Sequence, residues 1–341
     1  MEWQSDILGP GFESCAFDAV GPDGIRRRAT LVRFTPPDAP SPPVAPDAPG
    51  APDPQDPQDV RSAGPRRAVL FLHGWSDYFF NVELAQFWDA QGFEFFALDM
   101  HNHGRSLQPG IPGGYVADLG NYDAEIGTAV GMIAESGGAG NVQLALMGHS
   151  TGGLVAALWA SRNPGTASQL VLNSPWLEMH GSALVRRAAW TMVEPIARLR
   201  PEAVLRLPER GFYWRSISNA AEGEWTLDAA YRPPLAFPVR AAWLSAILAG
   251  QARVARGLGI GVPILVLLSA ASENGMVWNE EMRRTDAVLD VNTIAGRAMS
   301  LGRSVTVERI DGALHDVFLS GADVRADAYG RLARWLRGYA A

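Results

Sequence analysis

Ser150 stands in the run LMGHSTGGL (146–154), one hydroxyl among Gly148, Gly152 and Gly153, directly behind apolar residues. Glycine inside a strand or helix costs roughly 0.5–1 kcal/mol relative to alanine, so such a cluster marks a backbone that is sharply bent or tightly approached. The segment VQLALM that enters the glycines reads as a strand, and GLVAALWAS that leaves them reads as a helix. Ser150 therefore sits at a strand-to-helix turn of the G-x-S-x-G kind, which exposes the serine oxygen above a sheet and aims the positive end of the next helix at it. A serine hydroxyl is a weak nucleophile at neutral pH and needs a positioned base, itself oriented by a carboxylate. Of the six histidines, only His180 and His315 follow Ser150 in the chain.

The elements around this turn alternate. The runs CAFDAV, ATLVRF, AVLFLHG, FEFFALDM, VQLALMG, LVLNSP, ILVLLSA and VTVERI read as strands, several of them continuously apolar. Such runs belong to strands buried on both faces of a parallel sheet. Helical stretches at 82–90, 119–134, 153–162 and 324–336 lie between or after them, which predicts an α/β architecture with helices on both sides of a mostly parallel sheet.

The alternation breaks after NSPW. From 181 to about 257 the segments GSALVRRAAWTMVEPIARL and PVRAAWLSAILAGQARVARGL are helix-like and joined by proline and glycine. Trp176, Trp190, Trp214, Trp225, Trp243 and Trp278 lie in or beside this stretch. It reads as a helical cap, residues 176–257, inserted into a core formed by 1–175 and 258–341. A second interruption, 36–65, is dense in proline and almost empty of large apolar residues. It cannot bury enough surface to offset its ordering entropy, so it is expected to be an extended surface insertion.

Three motifs resemble the α/β-hydrolase superfamily over nearly the whole chain outside 36–65, nearest to the monoacylglycerol lipase and lysophospholipase branch of serine hydrolases. LFLHGWSDYFFN is similar to the strand and loop that supply half of that family's oxyanion hole, LDMHNHGRS to its D-x-x-G-H-G-x-S segment, and GHSTGG to its nucleophile elbow. Asn102 stands where that second motif has glycine. The resemblance implies an α/β-hydrolase fold with a mostly parallel eight-stranded sheet, an inserted helical cap, and the order serine, acid, histidine along the chain. His315, in IDGALHDVFLS, then occupies the loop of the base, whereas His180 falls at the cap entrance, ahead of any acid strand. For the acid, Asp286 in TDAVLDVNTI has the family's local pattern, Glu273 has the family's distance from the strand PILVLLSA, and Asp290 and Asp316 stay open. The implied oxyanion donors are the backbone N–H groups of Trp75 and Thr151. His73 and Gly74 are expected to shape their loop, and His101 and His103 to be structural rather than metal ligands, since no carboxylate or cysteine spacing accompanies them.

Composition narrows the classes. With 341 residues and 47% hydrophobic content the chain can bury a full core, and a net charge of -7 without a basic cluster argues against a nucleic-acid or anionic-membrane surface. Cys15 is the only cysteine, no stretch is apolar for 18 residues, and MEWQSDILGPGFES lacks the order of a secretory signal. A cytoplasmic setting is expected. The reading is a cofactor-independent, metal-free serine hydrolase taking small-molecule carboxylic esters with apolar acyl groups. An amidase, a peptidase or an acyltransferase would use the same residues, and a non-catalytic ligand-binding homologue would keep the fold. Serine at 150 excludes the dehalogenases and epoxide hydrolases of this fold, which place aspartate there.

Overall fold

A computed structural model describes residues 2–36, 65–136, 142–179, 183–206 and 210–339, with the backbone alone for 183–190. The insertion expected at 36–65 lies outside the described residues except at its two ends, and so does His180. The strands are β1 (Gln4–Ser5), β2 (Phe12–Val20), β3 (Arg26–Phe34), β4 (Arg66–Leu72), β5 (Glu94–Asp99), β6 (Val142–His149), β7 (Gln169–Asn173), β8 (Ile264–Ser269) and β9 (Val305–Ile310). They form one nine-stranded sheet in the order β1-β2-β3-β5-β4-β6-β7-β8-β9. From β5 to β9 every neighbouring pair is parallel, while β1, β2 and β3 form an antiparallel edge that joins β5 antiparallel. The sheet has one strand more than the resemblance implies, and a two-residue strand at the edge, β1, whose Gln4 and Ser5 pair with Ser14 and Glu13, gives no hydrophobic pattern to read.

The continuous apolar runs are explained by two covered faces. On one face Leu70, Leu72, Leu98, Leu146, Leu172 and Val266 point into the larger core beneath α2 (Asp123–Glu135), α3 (Ser150–Arg162), α6 (Ala241–Ala255) and α7 (Val291–Ala298). On the other, the alternate residues Val69, Phe71, Phe95, Ala97, Met147 and Leu265 meet α1 (Val82–Ala90) and α8 (Ala322–Gly338). Strand side chains alternate between faces with period two, so a strand covered on both sides must be apolar at every position.

Between β7 and β8 no sheet strand arises among the described residues. This interval holds α4 (Ala183–Leu199), α5 (Phe212–Ile217) and α6. The last of these packs against α3 and buries Trp243, Leu244, Ile247, Leu248 and Val254 in the larger core, whereas α4 leaves Met192, Ile196 and Leu199 exposed.

The LDMHNHGRS segment turns at the end of β5. Asn102 has φ +62°, a left-handed conformation that favours glycine, and asparagine is one of the few other residues to adopt it routinely. Its Nδ2 donates to the Tyr115 carbonyl at 2.7 Å, which holds the turn. Arg105 donates to Asp99 at 2.7 Å and, through Nε and Nη2, to both oxygens of Asp6 at 2.7 and 2.6 Å. Burial opposes the Arg105 cation, but Asp99 and Asp6 more than offset this and lift its pKa above the ordinary value. All three side chains are nearly inaccessible, so the triad of charges ties the chain's start to the carboxyl end of β5. Removing one partner of a buried pair leaves an uncompensated charge, and Arg105→Met is expected to cost about 3–5 kcal/mol in urea unfolding. A loss below about 1 kcal/mol, the range of an exposed pair, would show that the network contributes nothing beyond its surface equivalents.

Candidate active site

The carboxyl ends of β4, β6, β8 and β9 lie along one edge of the sheet, with β7 between β6 and β8, and each leads into one part of a single cluster. Ser150 follows β6 with φ +51°, a left-handed conformation rare for a residue with a side chain. The surrounding glycines are required by close approach. A Cβ on Gly152 would lie 2.2 Å from the His73 carbonyl oxygen and 2.3 Å from that of Leu72, and one on Gly148 would lie 2.5 Å from the Gly152 carbonyl oxygen. The turn is thus wedged against the end of β4, with Ser150 at the first position of α3 and its carbonyl accepting from the Trp176 N–H at 2.9 Å.

His315, 2% exposed, follows β9 and places Nε2 3.0 Å from Ser150 Oγ and Nδ1 2.9 Å from Asp286 Oδ2. Asp286 is fully buried, and its second oxygen, Oδ1, accepts from the N–H groups of Val288 and Leu289 at 2.8 and 2.7 Å. With Asp286 ionised, His315 carries its proton on Nδ1, which leaves Nε2 free to accept from the serine hydroxyl.

Asp286 stands 17 positions beyond the end of β8 in the chain, yet close to it in space. The Asp286 N–H donates to the Ala271 carbonyl and its carbonyl accepts from the Glu273 N–H, both at 3.0 Å, so Ser272 and Asp286 form a short parallel bridge. The residues between them loop outward, and the chain re-enters beside the segment that follows β8. Glu273 is turned to its own loop, with Oε1 accepting from the Gly275 N–H at 2.9 Å. Asp290 caps α7, and Asp316 accepts from Asn173 Nδ2 at 2.6 Å and from the Phe318 N–H.

The loop after β4 packs on the elbow: a Cβ on Gly74 would meet Ser150 Cβ at 3.4 Å. His73 is buried there, and its Nε2 lies 3.1 Å from the Met100 N–H. Nε2 must therefore accept, which puts the ring proton on Nδ1, 2.6 Å from the Gly74 carbonyl. That carbonyl and the Trp75 N–H share one planar peptide and point opposite ways, so His73 sets the direction of the Trp75 donor. His101 Nδ1 bonds Glu125 at 3.0 Å and His103 Nδ1 bonds the His101 carbonyl. Sequence reasoning did not single out Asp77 or Arg232. Their buried ion pair, 2.7 Å long and 155 residues apart in the chain, leaves no local pattern.

The sheet order, the elbow and the loops at the strands' carboxyl ends define an α/β-hydrolase fold. The chain belongs to the family described as serine aminopeptidase, S33, whose model matches residues 63–319. A monoacylglycerol lipase from Mycolicibacterium smegmatis is 29% identical over 153 residues, covering 42% of this chain and 53% of the relative, so the match spans about half of that protein's length. Two solved structures share the fold. A monoacylglycerol lipase from Paleococcus ferrophilus has a TM-score of 0.58 at 18% identity over 80% of this chain and 94% of its own. A carboxyl esterase from Bacillus coagulans, in complex with glycerol, has a TM-score of 0.61 at 13% identity over 96% and 99%.

His149, directly before Ser150, is buried with its ring 4.9 Å from that of His315 and its Nδ1 3.1 Å from the Asn173 carbonyl. Burial, opposed by Asp316 and reinforced by His315 and Arg232, lowers its pKa from 6.5 to about 4. The folded protein therefore holds it neutral where the unfolded chain would protonate it. Stability from this residue is complete above pH 6.5 and is lost as pH falls toward about 4. At about 1.4 kcal/mol per pH unit, the parent is expected to lose about 2–3 kcal/mol more than His149→Gln between pH 7.5 and 4.5. Urea titrations at the two pH values measure the difference, and equal losses would assign the acid sensitivity to other groups.

Proposed function

We propose that this chain is a cofactor-independent serine hydrolase of small-molecule carboxylic esters with apolar acyl groups, acting through an acyl-enzyme on Ser150. The observation that carries the reading is the unbroken hydrogen-bond chain from Ser150 Oγ through His315 to Asp286, at 3.0 and 2.9 Å. Its hydroxyl sits beside the amino end of α3 and the Gly74–Trp75 peptide, an arrangement suited to acyl transfer. In this mechanism Ser150 Oγ attacks the ester carbonyl as its proton passes to His315 Nε2. The backbone N–H groups of Trp75 and Thr151 receive the developing oxyanion. Collapse of the tetrahedral intermediate expels the alcohol, which takes the proton from His315, and a water activated by His315 then releases the acid. Asp286 orients the imidazole and stabilises its charged form, and no step calls on a metal or cofactor.

The apolar acyl preference is supported by the walls. Trp75, Trp176 and Tyr213 are partly exposed around the cluster; Trp75 and Trp176 lie 4.4 and 6.0 Å from Trp243, and Tyr213 packs edge-on to His315 at 5.1 Å. We place the cap in the interval 176–257 and assign its covering part to the chain before α6, because α6 itself lies in the larger core. The family description names a serine aminopeptidase and the curated relative a lipase, and an activated serine is chemically able to serve either leaving group. An aromatic wall favours the ester of an apolar acid. No helix among the described residues is long and apolar enough to cross a membrane, and the free, buried Cys15 supports a cytoplasmic setting.

Labelling with a fluorophosphonate and hydrolysis of p-nitrophenyl esters of graded length test the reading. Rates are expected to climb with acyl length by up to about fourfold per methylene, equivalent to about 0.8 kcal/mol, until the pocket is filled. Ser150→Ala and His315→Ala are expected to lower kcat by about 10⁶, and Asp286→Asn by about 10⁴ with little change in KM. Glu273→Gln is expected to keep most of its activity. A crippled Glu273→Gln beside an active Asp286→Asn would move the acid to Glu273, and a p-nitroanilide cleaved faster than every ester would favour the peptidase reading.

A further inference from the structure

The loop that carries the Trp75 N–H has no strand or helix of its own to hold it after β4 ends at Leu72. Three consecutive buried residues beyond Trp75 instead bond to one stretch of the intervening chain, 228–237, which is itself irregular. Ser76 Oγ accepts from the Phe237 N–H at 3.0 Å, Asp77 Oδ1 accepts from Arg232 Nη1 at 2.7 Å, and Tyr78 OH accepts from the Asp228 N–H at 3.1 Å. The Tyr78 ring also meets Tyr231 edge-on at 5.1 Å. Ser76 has φ +54°, so the turn after the donor peptide is one a serine would relax from if released.

We propose that Arg232 is a positioning residue of the oxyanion loop, acting beside His73: by pairing with Asp77 it clamps the peptide that presents the Trp75 N–H toward Ser150. The inference rests on the serine hydrolase reading above. Both partners of the pair are 7% exposed, so the Arg232 charge is taken up by Asp77 and is not offered to a substrate. Its guanidinium also lies 5.0 Å from the Tyr213 ring, which packs edge-on to His315, and 5.8 Å from the Phe80 ring. One cation from the intervening chain therefore braces the donor side of the site directly and the base side through Tyr213. Burial pushes the Asp77 carboxyl up from its ordinary pKa, and Arg232 is the first influence opposing that rise. A loop and a segment with no regular structure of their own fix each other, and among the described residues this pair links them by charge.

The test compares the parent with Arg232→Met, Arg232→Lys and the neutral double variant Asp77→Asn/Arg232→Met, which leaves no buried charge unpaired. Two quantities are read: p-nitrophenyl butyrate kinetics, and the affinity of a trifluoromethyl ketone whose adduct with Ser150 places an oxyanion at the donors. Loss of one oxyanion donor lowers kcat by about 10²–10³, so a loosened donor is expected to lower it by about 10–100-fold with KM nearly unchanged. Ketone affinity is expected to fall by the same factor, with partial recovery in Arg232→Lys, and the double variant should melt near the parent while keeping the kinetic loss. Folded variants with parental kcat and ketone affinity would overturn the clamp, as would a change in KM alone, which marks a substrate contact. Loss of the fold in every variant would also overturn it and assign the pair to stability. A parent that binds the ketone but cleaves no ester would fail the ester reading while the clamp is still measured through ketone affinity.

Discussion

A serine at φ +51° has no local reason to stay there. Left-handed backbone costs a non-glycine residue on the order of 1–3 kcal/mol and persists only where its surroundings over-determine it. Here the surroundings are the end of β4, whose Leu72 and His73 carbonyl oxygens stand where a Cβ on Gly152 would be, and Pro175, whose Cβ would lie 2.8 Å from a Cβ on Gly153. The hydroxyl is lifted out of the sheet because the backbone beneath it is pressed from two sides. Everything else in the site is arranged around a point that the sheet itself fixes.

That fixing works because the central strands are rigid on both faces. Parallel strands covered by helices above and below end at one edge in a row, and loops leaving neighbouring ends can converge without any of them being long. The proposed nucleophile, base, acid and oxyanion loop follow β6, β9, β8 and β4 respectively. Convergence at one edge also concentrates buried polar groups, and the structure handles each by a specific partner. Asp286 takes two backbone N–H groups and an imidazole, His73 bridges two peptides, and Asp77 takes a guanidinium. Those partners fix tautomer and orientation as well as offsetting the loss of water.

Much of this was legible in the sequence for a physical reason. Central parallel strands are buried on both faces, so VLFL, LALM and LVLL announce themselves, and a bend that tolerates no Cβ announces itself as glycine. Ser150 could be named as a candidate from its glycine-flanked turn at a strand end, whereas His315 and Asp286 could be named only through the resemblance, His315 in the loop after VTVERI and Asp286 in the TDAVLDV pattern well beyond β8. What stayed hidden is set by distance along the chain. Asp77 and Arg232 are unremarkable one by one and become a buried pair only when the intervening chain folds back. The two-residue β1 has too few side chains to show a period. A helix such as α6 is apolar whether it rests over strand ends or lies in the core, and only its packing against α3 tells which.

Asn102 and the stretch before Asp286 show why local departures from a motif need not disturb a site. The position of Asn102 demands a left-handed backbone, and asparagine meets that demand with a side-chain bond to Tyr115 as support. The path from β8 to Asp286 is long, yet the cost of closing a loop grows only logarithmically with its length, and the bridge between Ser272 and Asp286 brings the chain back beside the segment that follows β8. The constraint that matters is the position of a few backbone atoms at the strand ends. Arg232 falls on the other side of that distinction, because it meets the site through a loop with no secondary structure to fall back on. The intervening chain that we propose as the cover of the site would then also set the donor geometry, so changes in 228–237 that alter access would carry a second effect on the site's electrostatics.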